Sequence, residues 1–188
     1  MPTPPRILAF AGSVRRDSLN RKLLAVVVAE TRAAGAEVTS IELRDFPIPL
    51  YDGDLEDEKG IPENVTKLAA LITGHQGLLI ASPEYNALIT PLLKNTIDWC
   101  TRLDDNPFEG KVAAVVSASP GAFGGVRSAA VVRQLLMKLG CTVVPVEFAL
   151  SKAHEAFEPD GRLKSAHSLE SARKVAAALV RTTARLSG

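Results

Sequence analysis

Cysteine is scarce in this 188-residue chain, and the two present, Cys100 and Cys141, lie in apolar contexts. That count excludes a disulfide framework and a four-thiolate iron–sulfur cluster within one chain, and it points to a reducing compartment. A dominant charge is also missing. Lys and Arg number 22 against 21 Asp and Glu, a net +1, with no Lys/Arg block. Nucleic acid and anionic membrane are therefore not expected partners. No apolar run reaches membrane-spanning length, and the opening Met-Pro-Thr-Pro-Pro-Arg lacks a signal peptide's apolar segment, so a soluble cytoplasmic protein is expected. Two phosphate-binding signatures are absent after the first apolar run: Gly-x-x-x-x-Gly-Lys-Ser/Thr and Gly-x-Gly-x-x-Gly. A nucleoside triphosphate loop and a dinucleotide fingerprint are thereby excluded. The balance that remains, 46% hydrophobic and 23% charged without repeat or linker, is globular and predicts one domain over residues 1–188.

The apolar pattern alternates strand and helix. Ile7 to Ala11 reads as a buried strand, and Leu19, Leu23 and Val27 repeat at helical spacing up to Gly35. Glu37 to Leu43 alternates as a second strand nearer the sheet edge. A long loop punctuated by Pro47, Pro49 and Gly53 follows, then a short helix from Pro62 to Thr73. Gly77 to Ala81 is a third, fully buried strand. Thr90-Pro91 opens a helix with stripe Leu93, Ile97 and Cys100, and Arg102 suits its C-terminal end. Lys111 to Ser117 is a fourth strand, followed by a helix carrying Val131, Leu135 and Leu139 and closed by Lys138 and Gly140. Cys141 to Val146 is the fifth strand, and the final helix runs from Ser165 to Arg185. Continuous apolar strands alternating with helices predict an α/β fold: a flavodoxin-like, doubly wound, five-stranded parallel sheet of order 2-1-3-4-5. Such a sheet binds ligands at its C-terminal strand ends, around strands one and three.

Three loops at those ends carry polar chemistry. Ser13-Val-Arg15-Arg-Asp-Ser18-Leu-Asn20 places two hydroxyls, an arginine and an amide where a helix begins. Free N–H groups and the helix dipole favour an anion there, and Arg15 adds a fork of donors matched to phosphate oxygens. The alternative is a plain helix cap at Ser18 beside solvated arginines. Ser82 to Pro91 contains Pro83, Glu84, Tyr85 and Asn86, able to offer a shaped turn, an aromatic face and an amide. Ordinary turn preferences produce the same residues. Ser119-Pro120-Gly121-Ala-Phe-Gly124-Gly125-Val-Arg127 lets backbone approach a planar ligand, or simply caps a helix.

These residues resemble the NADPH-dependent FMN reductases, a family that includes bacterial quinone, chromate and azo-dye reductases. The resemblance rests on Gly12-Ser13-x-Arg15-x-x-Ser18-x-Asn20-Arg21, on Ser82-Pro83-Glu84-Tyr85-Asn86 with Leu93-Lys94-Asn95-x-Ile97-Asp98-Trp99, and on Ser119-x-Gly121-x-x-Gly124-Gly125-x-Arg127. It spans Arg6 to Phe148. It implies that Ser13, Arg15, Ser18 and Asn20 hold the FMN phosphate. Pro83, Glu84, Tyr85 and Asn86 would border the isoalloxazine, with Ser119 and Gly121 on another side. It further implies NADPH or NADH as donor, a small acceptor (quinone, azo compound, chromate or flavin), and a homodimer or homotetramer. Leu50 to Glu56 resembles a family segment near the partner's pocket, although its acidic residues read more simply as a solvated loop without calcium-loop spacing. No metal and no catalytic acid or base is assigned, because the cofactor carries the chemistry. His75, His154 and His167 are dispersed without ligand spacing, and Trp99 is expected as an interface or core anchor. The rival activity is a flavodoxin-type FMN electron carrier serving a protein partner; by resemblance such carriers are strongly acidic, which this chain is not.

Overall fold

A computed structural model describes residues 3–187; Met1 and Pro2, which begin the proline-rich opening, and Gly188 lie outside the described residues. In chain order the elements are β1 (Arg6–Ala11), α1 (Leu19–Ala33), β2 (Glu37–Ser40), a 3-10 turn (Leu43–Asp45), α2 (Gly53–Lys59) and α3 (Glu63–Thr73). They continue with β3 (Gly77–Ala81), α4 (Pro91–Cys100), β4 (Val112–Ala118), α5 (Val126–Lys138), β5 (Thr142–Val143), β6 (Phe148–Leu150) and α6 (Ala166–Leu186). The strands pair in parallel in the order β2-β1-β3-β4-β5, with β6 also on β4. This is the flavodoxin-like arrangement.

Helices cover both faces because the central strands are apolar along almost their whole length, only Arg6 and Ser117 being polar. Ile7, Ala9 and Ala11 of β1 face a layer built with α1 and α6, and Leu8 and Phe10 face one built with α3, α4 and α5. Trp99, fully buried on the second face, is a core anchor whose Nε1 donates to the Pro49 carbonyl at 2.8 Å. Its truncation to alanine costs about 3–5 kcal/mol.

Four expectations need correction. The second strand ends at Ser40 rather than Leu43: past Ile41, whose N–H reaches the Ala9 carbonyl at 3.0 Å, β1 is turning away into its loop. The long loop contains α2, which buries no residue and so carries no apolar stripe; Asp52 caps it. The α5 stripe is displaced by one position, with Val132 and Leu136 buried and Val131, Leu135 and Leu139 only half-buried. The fifth strand is broken. Its ladder on β4 runs out at Val144, Pro145 has no N–H to extend it, and pairing resumes at Phe148 opposite Val116.

Candidate functional site

β1, β3 and β4 are neighbours in the sheet, so the loops leaving their C-terminal ends are neighbours too. Gly12 extends β1 by donating its N–H to the Ala81 carbonyl at 2.9 Å, while its own carbonyl accepts from Thr90 Oγ1 at 2.8 Å. A Cβ on Gly12 would stand 3.0 Å from Leu93 Cβ, so any side chain there would press α4 away from the loop. Thr90 also caps α4, so one hydroxyl couples the first loop to the helix after the second.

Beyond Gly12 the backbone donors go unused. The N–H groups of Ser13, Val14, Arg16, Asp17, Leu19 and Asn20 have no acceptor among the described residues. The Arg15 N–H meets Ser13 Oγ at 3.3 Å, and the Arg21 N–H meets Ser18 Oγ at 3.4 Å. Both hydroxyls act as acceptors in those bonds, which leaves their protons free to donate. The Arg15 guanidinium is exposed and makes no hydrogen bond or ion pair among the described residues. A cavity of about 370 Å³ is lined by Gly12, Ser13, Arg15, Tyr85, Thr90 and Leu92, among others, and no carboxylate lines it. Unpaired N–H groups, hydroxyl protons and a guanidinium together fit a phosphomonoester.

The second loop is built differently. Tyr85 and Leu88 exchange N–H to carbonyl bonds at 3.0 Å, with Asn86 at φ 51° and Ala87 at φ 66°. Positive φ at both central residues makes this a tight hairpin turn of the I′ type. It presents Tyr85 and Leu88 to solvent, each more than half exposed. Glu84 faces away, with its side chain only 9% exposed. Its Oε2 accepts from the N–H groups of Arg127 (3.1 Å) and Ser128 (3.3 Å), and its Oε1 accepts from Arg127 Nε at 2.8 Å. Burial pushes the Glu84 carboxyl up, but the Arg127 hydrogen bond, the Ser128 N–H and the Arg127 charge outweigh it and hold its pKa below the ordinary value. Ser128 Oγ donates to the Pro83 carbonyl and lies within hydrogen-bond distance of Ser82 Oγ, both at 2.8 Å.

The third loop is fixed to the sheet edge. Ser119 N–H donates to the Leu150 carbonyl at 3.1 Å, and the Gly121 carbonyl accepts from Lys152 N–H at 3.1 Å. A Cβ on Gly124 would stand 2.7 Å from the Ala149 backbone, and its φ is +61°.

The structure thus gathers Ser13, Arg15 and Tyr85 around one cavity. Ser18 lies beside Ser13 on a second cavity of about 350 Å³, at the foot of α1. Asn20 turns inward: its Nδ2 donates to the Ala118 carbonyl at 2.8 Å and its Oδ1 accepts the Ala118 N–H at 2.9 Å, clamping α1 to the end of β4. Pro83 and Glu84 engage α5, Asn86 sits in the turn, and Ser119 and Gly121 do not line the cavity. Sequence reasoning missed Ser128 as the pin between the second and third loops, since a serine near a helix start signals only a cap. In the acidic loop, Glu56 accepts from Tyr51 Oη at 3.0 Å and pairs with Arg102, which lies past the end of α4. Cys100 and Cys141 are buried thiols with pKa values pushed up to about 12, which removes them as nucleophiles.

The chain is similar to known FMN and quinone reductases. Residues 5–155 match the family model described as NADPH-dependent FMN reductase. An NAD(P)H-dependent FMN reductase of Pseudomonas aeruginosa is 38% identical over 162 residues, 84% of each chain. A quinone reductase of Escherichia coli K12 is 36% identical over 140 residues, 74% of this chain and 73% of its own. Among solved structures, the flavoenzyme NAD(P)H:(acceptor) oxidoreductase FerB of Paracoccus denitrificans superposes with a TM-score of 0.82 at 28% identity, covering 96% of this chain and 98% of that one. Matched by that family model over most of its length and similar to relatives named FMN reductase and quinone reductase, the chain belongs to the NADPH-dependent FMN reductase family.

Proposed function

We propose that the chain carries electrons from NADPH or NADH through bound FMN to a small acceptor, a quinone first among them, with azo compounds, chromate and free flavin as further substrates. The observation that carries this reading is the set of N–H groups of Ser13, Val14, Arg16, Asp17, Leu19 and Asn20 that find no acceptor among the described residues, beside the exposed Arg15 guanidinium. The relatives named as quinone reductases support the choice of acceptor. FMN, when bound, supplies hydride uptake from nicotinamide and electron delivery to the acceptor. Ser13, Arg15 and Ser18 hold its phosphate by charge-assisted hydrogen bonds, with Asn20 fixing the height of the helix start against Ala118. The turn Tyr85–Leu88 and the glycine-bearing third loop border the ring, and Pro83, Glu84, Ser119 and Gly121 hold those borders in place. Asn86, exposed in the turn, offers its amide to the ring edge.

A homodimer or homotetramer follows from the exposed Tyr85, Leu88 and Phe123 near the site, apolar surface that a second copy would cover. Cytoplasmic residence is the compartment consistent with two buried free thiols. Among the described residues, no helix is long and apolar enough to cross a membrane.

The test is direct. Freshly purified protein is expected to be yellow, to bleach with anaerobic NADPH, and to recolour on adding a quinone, with sustained NADPH consumption. Protein that bleaches but recolours only with a second protein present would instead be an electron carrier. Protein that binds no FMN would end the reading.

A further inference from the structure

The N–H groups of the first loop that lack an acceptor raise a question of cause: something must hold those peptide planes in place. The answer lies behind the loop. Arg44 Nη2 donates to the Val14 carbonyl. Arg21 Nη1 reaches the Arg15 carbonyl at 3.4 Å and the Arg16 carbonyl at 3.3 Å. Glu42 joins the two arginines, one carboxylate oxygen on Arg21 Nη2 and the other on Arg44 Nε at 3.1 Å. Arg21 and Glu42 line the cavity of about 350 Å³ on the β2 side of the loop, whereas Arg15 and Tyr85 line the one on the α4 side.

In a planar trans peptide the carbonyl of one residue and the N–H of the next point in opposite directions. Carbonyls of Val14, Arg15 and Arg16 drawn toward the arginines therefore send the following N–H groups the other way. That of Arg15 meets Ser13 Oγ, and those of Arg16 and Asp17 meet no acceptor among the described residues. The Arg15 carbonyl also accepts from the Ser18 N–H at 3.2 Å. We propose, on the basis of the FMN reading above, that Arg21, Glu42 and Arg44 are positioning residues. They grip successive carbonyls from behind and so aim the loop's amides at the flavin phosphate. Arg21 comes from α1, and Glu42 and Arg44 from the segment after β2, so the clamp ties the loop to two separate elements. Ion pairs this exposed contribute little to overall stability. Their effect falls on the orientation of one loop, in which a donor must sit within a few tenths of an ångström of its oxygen.

The variant Glu42→Ala separates this role from through-space charge, because the two give opposite signs. Removing a carboxylate near a bound phosphate should tighten FMN by electrostatics alone. Releasing both arginines should loosen it. Flavin-free protein titrated with FMN and with riboflavin, followed by flavin fluorescence, reads the difference. For Glu42→Ala and Arg44→Ala we expect FMN dissociation constants to rise roughly three- to thirtyfold, each loop hydrogen bond being a modest contribution. Riboflavin, which lacks the phosphate, should bind as in the wild type. Arg44→Lys, which keeps the charge and one donor, should recover part of the loss. Unchanged or tighter FMN binding by Glu42→Ala would overturn the proposal, as would equal losses for both flavins. Wild-type protein that binds neither flavin would instead overturn the FMN reading on which the clamp depends, so the two failures are distinguishable.

Discussion

Two regions of the same sheet end treat their polar groups in opposite ways. Along the first loop, the N–H groups of Ser13, Val14, Arg16, Asp17, Leu19 and Asn20 find no acceptor among the described residues, and the Arg15 guanidinium makes no hydrogen bond or ion pair there. Across the second and third loops nearly the reverse holds. Glu84 fills the α5 N-terminus, Ser128 pins Pro83 and Ser82, and Ser119 and Gly121 are tied to the edge strand. Helix starts are anion sites in both places. One is capped by the protein's own carboxylate; at the other, most donors meet no acceptor among the described residues. Under the proposed function, the contrast separates affinity from shape: the first loop would supply binding energy, and the other two a preformed wall.

Each half of that contrast can be broken separately. The largest effect belongs to Asn20→Ala, which strips the Ala118 N–H and carbonyl of their buried partner and should destabilise the protein by roughly 2–5 kcal/mol in urea unfolding. Arg15→Ala should instead leave the flavin-free protein's unfolding midpoint unchanged. It should raise the FMN dissociation constant about ten- to hundredfold, the worth of a charge-assisted contact. A similar loss for riboflavin would place Arg15 elsewhere than on the phosphate.

On the wall side, Glu84→Gln should cost about 1–2 kcal/mol at neutral pH by weakening the α5 cap. The folded carboxyl titrates below its ordinary value of 4.5, so its charge stabilises the fold above that value. That advantage over the glutamine variant should shrink as pH falls below 4.5 and vanish beneath the lowered folded value, as read from paired urea curves. The smallest effect is expected of Ala87→Gly. Relief of left-handed strain at φ 66° offset by glycine's entropy should raise stability by no more than about 0.5 kcal/mol, measured as a small upward shift in Tm.

Burial explains which parts of this were legible in the chain. β1, β3 and β4 are buried along almost their whole length, so their apolar runs announced the strands, and their alternation with helices announced the doubly wound sheet order. The α5 stripe slipped because Val131-Val132 and Leu135-Leu136 are adjacent apolar pairs, and spacing alone does not choose between two faces one residue apart. At α2 there was no stripe to read, since a helix that buries nothing has only its cap as a signature. In the site, Ser13, Arg15 and Tyr85 could be named because each lies within a short local motif. The partners of Asn20 and Glu84 could not. Ala118 is 98 residues from Asn20 and Arg127 is 43 from Glu84, and a side chain's choice between a ligand and distant backbone leaves no trace in spacing.

The interruption at Pro145 has a further result. A long flat outermost strand invites a second chain to add itself by backbone pairing. Here that border offers two residues, a jog, and three more, while the opposite border at β2 spans only Glu37–Ser40. Neither rim is long enough to template ribbon-like growth. A second copy of this chain, if it docked, would have to meet side-chain surfaces, and the sheet would remain private to each.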